Sequence, residues 1–394
     1  MSRRPIALSA DLTRLQNEGY DIDVRGGYLL ARDVPYVRSD RSIGRGVLIS
    51  RLELSGDVTV KPSDHVAYWT GEHPCHSDGQ KIRAIENSSA LQVLGEGIQA
   101  DHTFSAKADY RDYHHKMTTY IGRIMGEAAK LDPTVDARTF PAIPADEGAA
   151  GPFKYVDTAS SRAGIAAVND RLAGHRVGIL GLGGTGSYVL DLVAKTGVAE
   201  IRLIDGDVFS QHNAFRSPGA PSIEELRQRP TKVARFTELY SHMRNGIVPH
   251  EVDLDETKLH LLDGLDFVFV CMDRGAPKRL AVDRLRANGT PFVDVGMGVV
   301  LVDGQMGGIV RLTASTSATR DRAERHISYS DGDGAANEYA TNIQIAELNA
   351  LNAALAVIQW KKLVGIYRDT GKATYVGYAI APGELAIEGP DDPD

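Results

Sequence analysis

The sequence predicts an α/β protein built on a mostly parallel sheet and preceded by a smaller α+β domain. Three observations predict it. The glycine loop Gly181-Leu182-Gly183-Gly184-Thr185-Gly186 lies between the apolar run Val177–Leu180 and a helical stretch, Tyr188–Ala194. Short apolar runs near 176–181, 200–205, 247–253, 266–272 and 291–296 alternate with helical periodicity, the pattern of parallel strands joined by crossover helices. A Pro-, Ala- and Gly-rich stretch, 132–152, separates them from an N-terminal segment of different pattern. The expected organisation is a domain over 1–131, a linker over 132–152, a Rossmann-like domain over 153–388 and a disordered acidic tail over 389–394.

In the glycine loop, Gly181, Gly183, Gly184 and Gly186 carry no Cβ, so phosphate oxygens can approach backbone N–H groups at the positive end of the next helix. The next strand, Ile201–Ile204, ends in Asp205-Gly206-Asp207. An acidic residue about twenty positions beyond such a loop ordinarily accepts hydrogen bonds from ribose hydroxyls, and Asp205 is so placed, with Asp207 beside it. A nicotinamide cofactor fits this much as well as ATP does.

The residues beyond Asp207 distinguish the two. Val208-Phe209-Ser210-Gln211-His212-Asn213-Ala214-Phe215-Arg216 and, later, Lys232 form a polar set for which hydride transfer has no use. Breaking the bond between the α- and β-phosphates of ATP moves negative charge onto departing pyrophosphate, and cations must meet it. Arg216 suits a bidentate phosphate contact and Lys232 a point contact. The apolar strand Phe267–Val270 leads through Cys271 and Met272 to Asp273, a carboxylate of the kind that Mg²⁺ takes together with phosphate oxygens.

Glycine loop, Asp-x-Asp-x5-Asn-x2-Arg, lysine and strand-end aspartate, in this order, resemble the ThiF/MoeB/ubiquitin-activating superfamily of adenylyltransferases over roughly 161–363. The resemblance implies that Asp205 holds the ribose, that Asn213, Arg216 and Lys232 hold the phosphates, and that Asp273 holds Mg²⁺. It implies a reaction in which the C-terminal glycine carboxylate of a small ubiquitin-like or sulfur-carrier protein attacks the α-phosphate. That carboxylate is ionised at neutral pH, so no general base is needed. Arg162, just before the first strand of this domain, matches an arginine that family members supply from a partner subunit, which implies a homodimer; on its own residues it reads equally well as a solvated helix arginine. The same superfamily includes activators of small-molecule or RNA-linked carboxylates, and a nicotinamide oxidoreductase or a non-catalytic nucleotide-binding protein is the alternative outside it.

Three departures bound the resemblance. The chain has two cysteines, Cys75 and Cys271, too few for the four-cysteine structural zinc site of many members, so no structural zinc is expected. No cysteine follows Cys271, so adenylation is better supported than thioester formation on this domain. Arg274 replaces the asparagine that commonly follows the Mg²⁺ aspartate.

In the N-terminal segment, strands over 27–36 and 46–54, Lys61-Pro62, an alternating strand 65–70 and His73-Pro74 resemble the core of ubiquitin-conjugating enzymes. Cys75 stands where that turn has asparagine, which implies a degenerate domain. Flanked by His73 and His76, Cys75 reads either as an acyl-accepting thiolate or as an ordinary turn cysteine. A helix over 110–131 with Tyr113, Met117, Tyr120, Ile121 and Ile124 reads as core-facing. Toward the C-terminus, 300–313 reads as an edge hairpin, 314–334 as a mobile loop, and 342–363 as a helix whose stripe Ile345, Leu348, Leu351, Leu355, Ile358 and Trp360 faces core or dimer.

The 394 residues carry a net charge of −8 and no sustained basic patch, which argues against nucleic-acid binding. No signal peptide or membrane span is legible, and nothing demands a disulfide, so a reducing cytoplasmic setting is expected.

Overall fold

Alternating buried and exposed residues over residues 22–70 build an antiparallel meander, whereas the runs after residue 175 are buried on both faces, as strands between helix layers must be. The computed structural model describes residues 4–145, 151–272, 275–329 and 343–390. Residues 146–150 of the expected linker and 391–394 of the expected tail lie outside the described residues. The chain divides into two compact units, one formed by 1–149 with 155–164 and the other by 150–154 with 165–394.

The first unit contains strands β1 (Ile22–Arg25), β2 (Tyr28–Val37), β3 (Ile43–Arg51), β4 (Leu54–Ser55), β5 (Val58–Thr59), β6 (Val66–Thr70), β7 (Glu86–Ser88), β8 (Gln92–Gly95), β9 (Ile98–Ala100) and β10 (His102–Ser105). Its main sheet has the order β1-β2-β3-β6-β10-β7, with every pairing antiparallel. A helix, Tyr113–Leu131, packs on it and is capped by Asp112, whose side chain accepts from the His115 N–H at 2.7 Å. Tyr113, Met117, Tyr120, Ile121 and Ile124 are all buried, as their helical spacing predicts. Ala137 is buried in the same core, and Tyr20 and Arg138 form a β-bridge. Residues expected from composition to be linker therefore pack here, because a small apolar side chain fills a core site as readily as it lines a linker.

The second unit contains β11 (Arg176–Leu180), β12 (Glu200–Ile204), β13 (Ile247–His250), β14 (Phe267–Val270), β15 (Phe292–Val302), β16 (Gln305–Ser315), β17 (Tyr375–Ala379) and β18 (Glu384–Glu388). Strands β13-β12-β11-β14-β15 are parallel, and β16, β17 and β18 continue the sheet antiparallel. The fold class is thus α/β, a mostly parallel Rossmann-like sheet, with an antiparallel-sheet domain before it. Leu180 lies opposite both Ile204 and Val270. The carboxyl ends of β11, β12 and β14 are therefore level, and the loops leaving these strands emerge along one edge, where open α/β sheets bind ligands.

Three expectations for this unit need correction. The β15–β16 hairpin is interior to the sheet, since β17 and β18 pair beyond it. Much of the expected loop 314–334 is structured: it begins inside β16 and includes a helix, Arg320–Glu324, held by Arg279 and Arg286 on Glu324, while residues 330–334 lie outside the described residues. The C-terminal helix runs Ala346–Leu363 and buries Asn349, Asn352, Ala353, Ala356, Val357 and Trp360, leaving Ile358 exposed. The bulkier stripe is not the inner face, because small residues allow close approach to the Gly184–Ala194 helix, and asparagines there find hydrogen-bond partners.

Candidate functional site

Leu180 ends β11, and Gly181 turns the chain with φ +86°, a conformation L side chains rarely adopt. A Cβ at Gly186 would overlap the carbonyl oxygen of Gly181, so the first turn of the Gly184–Ala194 helix can sit against the loop only with glycine there. Nothing lies within 4 Å of a Cβ position at Gly183, which leaves its backbone approachable from outside.

Asp205, at the end of β12, locks this loop in place. Its Oδ2 accepts the Leu182 N–H at 2.6 Å and Oδ1 accepts the Asp207 N–H at 2.9 Å. Lys232, first residue of a helix running to Ser241 and capped by Thr231, lies 3.4 Å from Asp205 Oδ2 and 2.5 Å from Asp207 Oδ2. The side chains of Lys232 and Asp205 are 9% and 7% exposed, whereas that of Asp207 is 71% exposed. With both Asp205 oxygens engaged inside the protein, Asp207 is the more available acceptor of the pair.

Asn213 is buried and completes a capping box: its Oδ1 accepts the Ser210 N–H at 2.8 Å. That leaves only a donor, Nδ2, to offer a ligand, which suits an anion. Two residues on, Phe215 is exposed and Arg216 comes next. Burial, and then repulsion from Arg216 and Lys232, holds the His212 imidazole below its ordinary pKa. The three side chains form one electropositive neighbourhood.

Gly181, Gly183, Gly184, Asp205, Asp207, Asn213, Arg216 and Lys232 line a single cavity of about 650 Å³ at the carboxyl edge of the parallel strands. Gly186 lies beneath it and acts through packing. Cys271, Met272 and Pro277 also line it, so the segment after β14 reaches the same cavity, while Asp273 and Arg274 lie outside the described residues. Cys271 shares its surroundings with buried Asp294; desolvation, then the nearby carboxylate, pushes its thiol well above the ordinary range, in keeping with an unreactive cysteine.

Two expected site residues belong to the N-terminal unit. Arg162 is exposed; its Nε and Nη2 donate to the Asn17 carbonyl at 3.0 and 2.7 Å, and its guanidinium lies 5.2 Å from the Phe140 ring centre. Cys75 is buried, and its Sγ–H points to the His73 carbonyl at 3.4 Å. Burial pushes this thiol up, opposite to the direction expected from flanking histidines. His76 pairs instead with Glu127 at 3.3 Å, and desolvation lowers His73. The acyl-acceptor reading of Cys75 is therefore corrected to that of a buried turn cysteine.

Sequence reasoning missed Asn349, His212, Asp253 and Gln344, all of which line the cavity. The only signal for Asn349 was a polar pair, Asn349 and Asn352, spaced one turn apart in an otherwise apolar helix.

A parallel sheet with a glycine loop, an acidic strand end and a cationic helix start on one edge defines an α/β protein of the nucleotide-loop kind. The chain belongs to the ThiF family, whose model matches residues 160–380. A model described as a domain of unknown function, DUF6791, matches residues 10–158. No curated protein matches the chain. Among solved structures, E. coli MccB crystallised with AMPCPP and MccA is 18% identical at a TM-score of 0.44, covering 59% of this chain and 69% of that one. E. coli MccB crystallised with ATP is 17% identical at 0.43, covering 59% and 69%. PaaA is 17% identical at 0.42, covering 57% and 75%. No helix among the described residues is long and apolar enough to cross a membrane.

Proposed function

We propose that this chain is an ATP- and Mg²⁺-dependent adenylyltransferase that activates the C-terminal glycine carboxylate of a small ubiquitin-like or sulfur-carrier protein. The observation that carries the reading is the convergence, in one cavity, of the approachable glycine loop with Asp207, Asn213, Arg216 and Lys232. The donor set fits a polyphosphate: backbone N–H groups at a helix start, an amide donor and two cations. It fits a nicotinamide hydride donor poorly, since that chemistry leaves no charge for Arg216 and Lys232 to meet.

In this reading the ribose hydroxyls donate to Asp207, and Asp205 keeps the loop in shape. One carboxylate oxygen of the carrier's glycine attacks the α-phosphorus, the bond to the β-phosphate bridge oxygen breaks, and pyrophosphate leaves with its electrons. Lys232, released from Asp207 as the nucleotide enters, and Arg216 meet the charge that builds on the departing group. Asp273 is the proposed holder of Mg²⁺, which when bound screens the polyphosphate charge. Arg162 is proposed to act from the partner subunit of a homodimer; to do so it must exchange the Asn17 carbonyl for a phosphate.

Pyrophosphate exchange into ATP, measured with and without small proteins ending in Gly-Gly, tests the reading. Exchange that depends on such a protein supports it. ATP binding with no exchange for any of them would overturn the carrier-protein assignment and point to a small-molecule or RNA-linked carboxylate.

A further inference from the structure

We propose that Asn349 is a positioning residue for the phosphate end of the cavity, fixing the separation between the glycine loop and the Arg216 segment; the inference rests on the ATP reading above. Asn349 lies in the first turn of the Ala346–Leu363 helix, is 1% exposed and still lines the cavity. Both ends of its amide are engaged. Oδ1 accepts the Thr185 hydroxyl at 2.9 Å, and Nδ2 donates to the Arg216 carbonyl at 3.5 Å. One side chain thereby joins two segments that would both contact the same polyphosphate.

The packing is specific to this pair. A Cβ at Gly184 would overlap the Asn349 amide, so the missing side chain at Gly184 is what admits the asparagine. One turn further along the same helix, Asn352 donates to the Gly296 carbonyl at 3.1 Å, and Gly296 also lines the cavity. Burying an amide among alanine and valine is unfavourable unless its hydrogen bonds are made, so a helix that served packing alone would need no asparagine here. Small displacements of a positioning contact are felt strongly by a ligand that spans both sides of it.

The test is titration of the full chain with a fluorescent non-hydrolysable ATP analogue, in wild type, Asn349→Ala, Thr185→Val and the double variant, alongside thermal unfolding without nucleotide. Asn349→Ala and Thr185→Val are each expected to raise Kd about tenfold, the scale of one hydrogen bond in a charged site. The double variant is expected to bind no worse than Asn349→Ala, because both changes break one bond. Gly184→Ala is expected to bind more weakly still and to regain part of that loss when combined with Asn349→Ala. Thr185→Val, close to isosteric, probes the same contact if Asn349→Ala does not fold. Unchanged Kd with lowered thermal stability would make Asn349 a packing residue and overturn the inference, as would additive losses in the double variant. A wild-type chain that binds no analogue would overturn the proposed function and this inference together; wild-type binding with an indifferent Asn349→Ala would overturn the inference alone.

Discussion

The carboxyl edge of the parallel sheet and the His73–Cys75 turn both look reactive in sequence, and the structure treats them in opposite ways. At the sheet edge, level strand ends deliver glycines, carboxylates and cations to one open cavity. At the turn, the thiol is buried and its pKa raised, while the two histidines face other partners. Adjacency along the chain is a weak guide to chemistry. A convergent edge, imposed by strand register, is a strong one.

The comparison can be broken most sharply at Asp273. Asp273→Ala is expected to abolish carrier-dependent pyrophosphate exchange while circular dichroism stays native, and retained exchange would remove Asp273 from the site. Lys232→Ala is expected to lower exchange by about a hundredfold or more, the scale for losing one group that meets developing charge; a loss matched by unfolding would instead make Lys232 a structural partner of Asp205.

Gly186→Ala places a methyl against fixed backbone and is expected to lose about 1–3 kcal/mol in denaturant titration, along with nucleotide binding. Cys75→Ala should leave exchange within about twofold and lower stability by about 1 kcal/mol, a typical loss for a single substitution. Native Cys75 should also resist alkylation at neutral pH until denaturant is added; fast labelling of the folded protein would reopen the acceptor reading.

The smallest effect expected is from pH. Desolvation holds folded His73 below its ordinary value near 6.5, so the folded state binds its proton less readily than the unfolded chain. Its contribution to stability is present above that unfolded value and is lost as pH falls below it toward the folded value. Urea midpoints between pH 8 and 5 should decline more shallowly in His73→Gln than in wild type.

Much of the sheet edge was legible. Gly181, Gly183, Gly184, Asp205, Asp207, Asn213, Arg216 and Lys232 lie within one stretch of chain whose order obeys strand–loop–helix logic. The division of labour between Asp205 and Asp207 was not legible, because which carboxylate is buried depends on where Leu182 and Lys232 fall in space. Nor was the inner face of the C-terminal helix, where size and hydropathy pointed to leucines and the structure buries asparagines and alanines.

By itself the sequence determined the strand and helix periodicities, the turn that only glycine makes at 181 and the supply of cations near the nucleotide loop, because these are local properties of backbone sterics and charge. Only the tertiary structure decided that Cys75 is sealed, that Asp205 faces inward and that Asn349, more than one hundred and sixty residues beyond Thr185, completes the cavity wall. Burial and hydrogen-bond partnership depend on what packs from elsewhere in the chain, and no window of neighbouring residues contains that information.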